Sequence, residues 1–374
     1  MSTIGFVSSY SPTLCGLATF TASLYSELVT AGGSQGRVVR VVEASEPYPA
    51  SEVVAELVAG DPVSAQRAAA QLDGCDVVLV QHEYGIYGGA DGDEILPFLA
   101  AVRAPVIVVL HTVLSAPTPH QRQVLEEVAA LADAVVVMTE TGRQRLSNLY
   151  DVDLAHVTVI PHGAPATRIA AAAQRRTARP SILTWGLIGP GKGIEWGIAA
   201  MALLRDVVPA PQYVVAGQTH PKVLLREGEA YRTSLAHQVA DLGLADVVTL
   251  DNRYRDSVAL AALVQAADIV LLPYDSSDQV TSGVLIEAVA AGKPVVATRF
   301  AHAVELLSDG GGILVPHKDP AGIATALRTM VAALGARDVV TSAARQTPAE
   351  LLWPAVAARY SDLARRLIRS RVAA

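Results

Sequence analysis

Short, nearly unbroken apolar runs alternate along this chain with longer stretches in which apolar residues recur every three to four positions. In the first half, runs at Ile4–Ser8, Val38–Val42, Val77–Gln81, Val106–His111, Ala134–Met138 and Val157–Ile160 have strand length. Between them, helical periodicity covers 17–31, 64–72, 93–102, 119–132 and 140–149. The runs are Val/Ile/Leu without in–out alternation, as expected of strands buried on both faces of a parallel sheet. The second half repeats the pattern, with strands expected near Ile182–Trp185, Tyr213–Ala216, Val247–Leu250, Ile269–Leu272, Val295–Ala297 and Gly312–Val315. Strand–helix alternation carried through twice predicts two doubly wound α/β domains.

The boundary is expected at 163–180, a stretch rich in Ala and Arg, with Pro165 and Pro180 and no strand signal. That sets a first domain at 1–165 and a second at 166–350. A C-terminal helix over 351–374 is expected to pack back towards the first domain. It ends in Arg365, Arg366, Arg369 and Arg371, read as a solvated cap suited to the helix dipole in preference to a membrane anchor.

Length and composition narrow the class. At 374 residues, roughly 150 residues per domain gives two to three domains. The chain is 51% hydrophobic and 17% charged, which excludes a disordered chain. Mean hydropathy is positive, yet the longest apolar stretch, Val258–Tyr274, is broken by Gln265 and Asp268, short of the ~18 residues a spanning helix needs. The N-terminus, MSTIGFVSSY, lacks the basic head of a signal peptide. Cys15 and Cys75 give neither a disulfide framework nor zinc spacing. The expectation is a soluble, cytoplasmic protein without a transmembrane segment.

Net charge is −7 but unevenly divided: residues 1–165 hold 7 basic and 18 acidic residues (−11), the remainder 22 basic and 18 acidic (+4). The acidic half argues against a nucleic-acid groove along the chain and against docking of that half on anionic lipid. The basic half suits a phosphorylated ligand.

The candidate chemistry gathers at strand ends. Gly186-Leu-Ile-Gly-Pro-Gly191-Lys192-Gly193 follows a strand and opens a helix. Glycines let backbone approach an anion, the helix start offers free N–H groups, and Lys192 adds charge. The stretch nearly matches a P-loop, but Gly193 stands where the magnesium-binding hydroxyl belongs. Lys192 as a diphosphate ligand is favoured over that reading and over a plain structural turn. A second signal, PYDSSDQVTSGVLIEAVAAG, runs from Pro273 to Gly292. Its helix is expected to start near Thr281–Ser282 and to close at Gly292 as C′. The amides of Ser282, Gly283 and Val284 are expected on its first turn, and Glu287 lies one turn further in. A carboxylate there can accept both hydroxyls of a ribose, or simply face solvent.

The first domain offers weaker signals at the matching edge. In YSPTLCG, Gly16 permits close approach of a ligand or merely makes a turn. His111 ends a strand and is open to a structural or a functional reading in equal measure. Gln81-His82-Glu83-Tyr84-Gly85 ends another strand, and can read an acceptor sugar or be an ordinary polar loop.

Taken together, QHEYGIYGG, VVLHTV, VIPHGAP, GLIGPGKG, PYDSSDQVTSGVLIEAVAAGKPVVAT and HAVELLSDGGGILVP resemble, in order and over almost the whole chain, the retaining glycosyltransferases of family 4 and their bacterial mannosyltransferase-like group. The resemblance implies a GT-B fold, two Rossmann-like domains facing across a cleft, with the acceptor on the first and a nucleotide-diphosphate sugar on the second. It implies Gly191 and Lys192 at the diphosphate, Glu287 at the ribose, and a cradle of the Ser282–Val284 amides with Gly16. His111 is implied under the donor sugar, His82 and Glu83 on the acceptor side, and His162 beside the cleft at the hinge. It also implies transfer without metal or other cofactor, with GDP-mannose as donor and a glycan or small-molecule hydroxyl as acceptor.

Two positions depart from the family pattern. Leu187 replaces the arginine that commonly follows the first glycine, and Arg253 or Arg255 is expected to replace its charge. Gln279 stands where the family's first glutamate is found, with seven residues between it and the second, Glu287. Two alternatives to transfer are a phosphorylase of the same fold and a non-catalytic sugar-nucleotide-binding protein, on the caution that fold does not fix function.

Overall fold

The structure is a computed structural model that describes residues 2–47, 50–165, 179–276, 279–335 and 349–373. The chain divides into two compact units, Met1–Gly163 with Trp353–Ala374, and Ala164–Leu352. Residues 166–178, the centre of the expected boundary, lie outside the described residues.

The first unit is built on seven strands: β1 (Thr3–Ser8), β2 (Gln35–Val42), β3 (Val53–Val58), β4 (Val77–His82), β5 (Val106–Leu110), β6 (Ala134–Val137) and β7 (Val157–Val159). Their order is β3-β2-β1-β4-β5-β6-β7, and every neighbouring pair is parallel. Val78 and Val80 of β4 enter one core and Val77 and Leu79 the other, so the unbroken apolar runs feed two cores on opposite faces. Helices Pro62–Gln71, Ile95–Ala101, Pro119–Ala130 and Glu140–Leu149 connect the strands. The helical stretch expected over 17–31 is an α-helix, Gly16–Tyr25, continued by a π-helical turn, Ser26–Ala31.

β3 is an element the hydrophobic pattern does not predict. Its sequence, VVAELV, mixes helix formers with β-branched residues, and its one partner is β2. Val53 and Leu57 bury themselves in the two cores, and an ion pair lies across the register. Arg40 lies fully buried in β2, opposite Glu56 of β3, with its Nη2 2.5 Å from Glu56 Oε1. An arginine buried at that depth needs a carboxylate beside it.

Helix Trp353–Ala373 belongs to the first unit, where Trp353, Val356, Tyr360 and Leu363 share a core with Phe6, Phe20 and Leu24. At its last turns Arg365 pairs with Asp362 on the surface.

The second unit repeats the plan with β8 (Ser181–Trp185), β9 (Gln212–Ala216), β10 (Val248–Asp251), β11 (Ile269–Leu272), β12 (Val295–Thr298) and β13 (Gly312–Val315). Their order is β10-β9-β8-β11-β12-β13, again all parallel. Both units are therefore doubly wound, Rossmann-like α/β layers. Strand order reverses between β1 and β4, and between β8 and β11. Connections leave to opposite faces there, and a crevice opens at the carboxyl ends. Among the described residues no helix is long and apolar enough to cross a membrane.

Trp353 is the anchor of the C-terminal helix: its ring lies 5.1 Å from Phe20 and 5.6 Å from His162, centre to centre. A Cβ on Gly163 would come within 2.3 Å of it. Trp353→Ala is expected to lower the unfolding free energy by about 3–5 kcal/mol in urea titrations. A change under about 1 kcal/mol would mean that this helix does not hold the core of the first unit.

Candidate active site

In the second unit, the loops after β8 and β11 flank the point where strand order reverses, which brings the two sequence signals together. The peptide N–H of Asp275 donates to the Gly191 carbonyl at 3.1 Å. Gly193, which begins helix Ile194–Ala202, takes φ +61, and a Cβ on it would lie 1.9 Å from the Pro273 carbonyl oxygen. Only glycine fits a left-handed turn packed that closely on backbone. The Lys192 ammonium stands over the Tyr274 ring, 4.4 Å from its centre, a cation–π arrangement. Tyr274 is fixed from below, with its ring 5.0 Å from Phe300 and its carbonyl accepting from Thr298 Oγ1 and His317 Nδ1.

Helix Gly283–Ala290 starts at the predicted place. Ser282 caps it, its Oγ accepting from the Leu285 N–H at 3.2 Å. One expectation is corrected here: the Ser282 amide is taken, donating to His302 Nδ1 at 2.8 Å. The N–H groups left without an acceptor inside the helix at this turn are therefore those of Gly283 and Val284, its first two residues. Glu287 follows one turn on. Its Oε2 accepts from Trp185 Nε1 at 3.3 Å, and burial raises its carboxyl pKa above the usual range while that indole bond opposes the rise. Glu287 is thus held inward.

Two further expectations change. Arg253 supplies no loose charge: its guanidinium grips both oxygens of Asp251 (3.0 and 2.7 Å), and its side chain is 79% exposed. Arg255 pairs with the same carboxylate. Together these partners hold Asp251 well below the usual carboxylate range, the hydrogen bond from Arg253 first and burial opposing. Gln279 folds into its own loop, its Nε2 donating to the Thr281 carbonyl; its neighbours 277 and 278 lie outside the described residues.

Sequence reasoning assigned no role to Trp185, Tyr274, Arg232 or His302. Arg232 donates to the Gly217 carbonyl at 2.5 Å, and a Cβ on Gly217 would lie 1.9 Å from the Gly186 carbonyl oxygen. Arg232 so braces the backbone beneath the glycine-rich loop. Trp185 and Tyr274 had a usable signal, each being an aromatic residue at the end of a buried strand beside a motif. Arg232 and His302 had none, because their partners are distant in sequence.

In the first unit, Gly16 opens its helix behind the N-cap Cys15, whose Sγ accepts from the Ala18 N–H. A Cβ on Gly16 would meet nothing within 4 Å, so the fold itself leaves that space open. His111 follows β5, and its Nε2 lies 2.7 Å from Gln81 Oε1, which makes Nε2 the donor. Glu83 accepts from the Thr112 hydroxyl. His162 packs its ring on Phe20 and Trp353, with Nδ1 donating to the Gly163 carbonyl at 2.7 Å.

The acceptor-side expectation for His82 is overturned. Its ring is fully buried between Tyr84 and Tyr87, with no partner on either nitrogen, so it offers a ligand no surface. Burial lowers the imidazole pKa of His82 and of His162 to about 4. For His111 burial, with His162 and His82 nearby, lowers it to about 3. All three are neutral at pH 7.

A family model described as glycosyl transferases group 1 matches residues 179–333. The chain is 29% identical over 269 residues to a D-inositol 3-phosphate glycosyltransferase of Corynebacterium kroppenstedtii, an overlap of 68% of this chain and 58% of that protein. It is 31% identical over 284 residues to the protein of the same name from Kineococcus radiotolerans (69% and 63%). It is 28% identical over 230 residues to a glycogen synthase of Mycobacterium tuberculosis (60% and 52%). The chain thus spans between half and two thirds of the length of these curated relatives. Among solved structures, Anabaena HepE in complex with UDP and glucose superimposes with a TM-score of 0.78 at 16% identity, over 97% of this chain and 99% of that one. A glycosyltransferase from Rickettsia africae gives 0.75 at 15% identity, over 98% and 99%. At such identities the likeness is one of fold, and that fold is GT-B.

His82 sets a pH dependence with a definite sign. Its folded pKa of about 4 lies below the ordinary 6.5, so between those values the unfolded chain binds the extra proton and stability falls as pH falls. Between pH 7 and pH 5, His82 is expected to account for about 2 kcal/mol of lost unfolding free energy. Urea titrations of a His82→Leu variant at the two pH values should show that part of the loss gone. An identical slope in the variant would assign the dependence elsewhere.

Proposed function

We propose that this protein is a glycosyltransferase that moves a hexose from a nucleotide-diphosphate sugar to a hydroxyl of a glycan or small molecule, with retention and without a metal. Mannose from GDP-mannose is the proposed donor. The observation that carries this reading is the convergence of Lys192, the Gly283 helix start and Glu287 at one carboxyl edge of the second sheet. The group 1 glycosyltransferase match over that same unit supports it.

Lys192 and the Gly283 and Val284 amides hold the diphosphate, Gly191 lets backbone approach it, and Glu287 accepts from the ribose hydroxyls. As the bond between the anomeric carbon and the phosphate oxygen breaks, negative charge builds on the leaving diphosphate. Preorganised donors aimed at that charge lower the barrier most. The acceptor oxygen bonds to the anomeric carbon on the face the phosphate leaves, and its proton passes to a leaving-phosphate oxygen. His111, neutral with a folded pKa of about 3, is no general acid at pH 7, so its part is to hydrogen-bond the sugar. Gly16, Glu83 and His162 are the proposed sugar and acceptor contacts of the first unit. With its Nε2 turned to the Thr281 carbonyl, Gln279 is the proposed sugar contact of the second through its amide oxygen alone, accepting from a sugar hydroxyl and carrying no charge.

Steady-state assays with GDP-mannose and UDP-glucose over an acceptor panel test the reading. Lys192→Ala is expected to lower kcat/KM about 10²–10³-fold, and EDTA is expected to leave the rate unchanged. Undiminished turnover in Lys192→Ala would remove that lysine from the mechanism, and a rate abolished by EDTA and restored by a divalent cation would overturn the metal-free assignment.

A further inference from the structure

A second residue acts at the nucleoside end of this edge. We infer that Trp185 is a positioning residue: its indole N–H holds the Glu287 carboxylate in the one orientation that accepts from a vicinal diol, and so sets the preference for ribonucleotide over deoxyribonucleotide ligands. The inference rests on the reading of Glu287 as the ribose acceptor.

The geometry points this way from both partners. Trp185 is the last residue of β8, 4% exposed, and packed in one core with Leu272, Leu285 and Ala288. An indole N–H only donates, and when buried it needs an acceptor. The acceptor it finds is Glu287 Oε2 at 3.3 Å, 102 residues away in sequence. Glu287 stands on a helix whose neighbouring residues, Ile286 and Ala288, are buried and apolar. A carboxylate in that setting has few ways to be satisfied. One charge-assisted bond from a rigid, core-locked donor fixes its rotamer and leaves most of its roughly four lone-pair sites for a ligand.

Gly186 follows Trp185 directly, and a Cβ placed there would be in van der Waals contact with Val284 at 3.6 Å, so the glycine-rich loop packs on the first turn of the Gly283 helix. Trp185 and Glu287 also belong to β8 and to the connection after β11, the two elements between which strand order reverses. A nucleotide with its diphosphate at Lys192 and the Gly283 turn carries its ribose on the same edge. Orienting a group through a third residue is how a site gains selectivity without adding a contact of its own.

Calorimetric binding of GDP or UDP, whichever the unmutated protein binds more tightly, and of its 2′-deoxy form tests this with Trp185→Phe and Glu287→Ala. Phenylalanine keeps an aromatic ring but removes the N–H together with the pyrrole half of the indole, so the affinity for the deoxy form serves as the control for the packing that is lost. The unmutated protein is expected to prefer the ribo form at least about tenfold, and Trp185→Phe to lose most of that preference. Affinity for the deoxy form should stay within about twofold, which also shows that the variant is folded. Equal weakening of both forms would make Trp185 a packing residue and overturn the inference. Glu287→Ala separates the two levels. If it abolishes the preference while Trp185→Phe retains it, the inference fails and the ribose reading stands; if Glu287→Ala retains it, the ribose reading itself fails.

A pH series gives a readout that packing would not move. The ribose preference should fade as pH falls and Glu287 takes up a proton. In Trp185→Phe, where little preference is left to follow, the Glu287 carboxyl is read by its own chemical shift: without the indole bond, which favours the ionised form, it should take up its proton at higher pH, by about one unit for a tenfold loss. An unchanged midpoint overturns the inference. In the unmutated protein, the Trp185 indole N–H resonance should follow the same midpoint, and a resonance indifferent to it does likewise.

Discussion

Every strand in both sheets runs the same way, and the rest of the molecule follows from that. Parallel pairing sends all carboxyl-terminal loops of a sheet to one edge. Where strand order reverses, helices leave to opposite faces and cannot cover that edge. In the second unit, β8 and β11 flank this opening, so a glycine-rich loop and a polar loop separated by some eighty residues become neighbours. The Pro273 carbonyl packed against Gly193 and the Asp275 N–H on the Gly191 carbonyl are the contacts that result. The convergence of the two loops is a product of backbone geometry before any side chain is considered.

The side chains then settle how charge is held. Lys192 rests on a ring that is itself pinned by Phe300, Thr298 and His317. Among the described residues no ion pair holds its ammonium. Arg253 and Arg255 illustrate the opposite case, since Asp251 satisfies both. In the first unit the same low-dielectric setting works on histidines. Burial keeps His82, His111 and His162 uncharged.

Particular residues show what could be read in advance. The strand runs, the helix start at Ser282 and the closing glycine at 292 were legible because hydrophobic period and capping chemistry are local. β3 was not, because its stabilising partner is Arg40 on another strand and its own residues favour helix as much as sheet. The Ser282 amide looked free because helix-start amides usually are, and only packing reveals His302 beneath it. His82 looked like a ligand contact because it ends a strand, but its last strand position turns inward.

By itself the sequence determined two doubly wound α/β layers, their strand positions, and the placing of Lys192, Gly283 and Glu287 at strand ends and helix starts. Those features depend on local periodicity, glycine and capping, which act over a few residues. The tertiary structure alone decided which polar groups remain available to a ligand. Availability depends on partners distant along the chain: Asp251 for Arg253, His302 for Ser282, Trp185 for Glu287, and the closed core around His82. A polar residue's chemistry is written in its type, but whether that chemistry is already spent is set by what the fold packs against it.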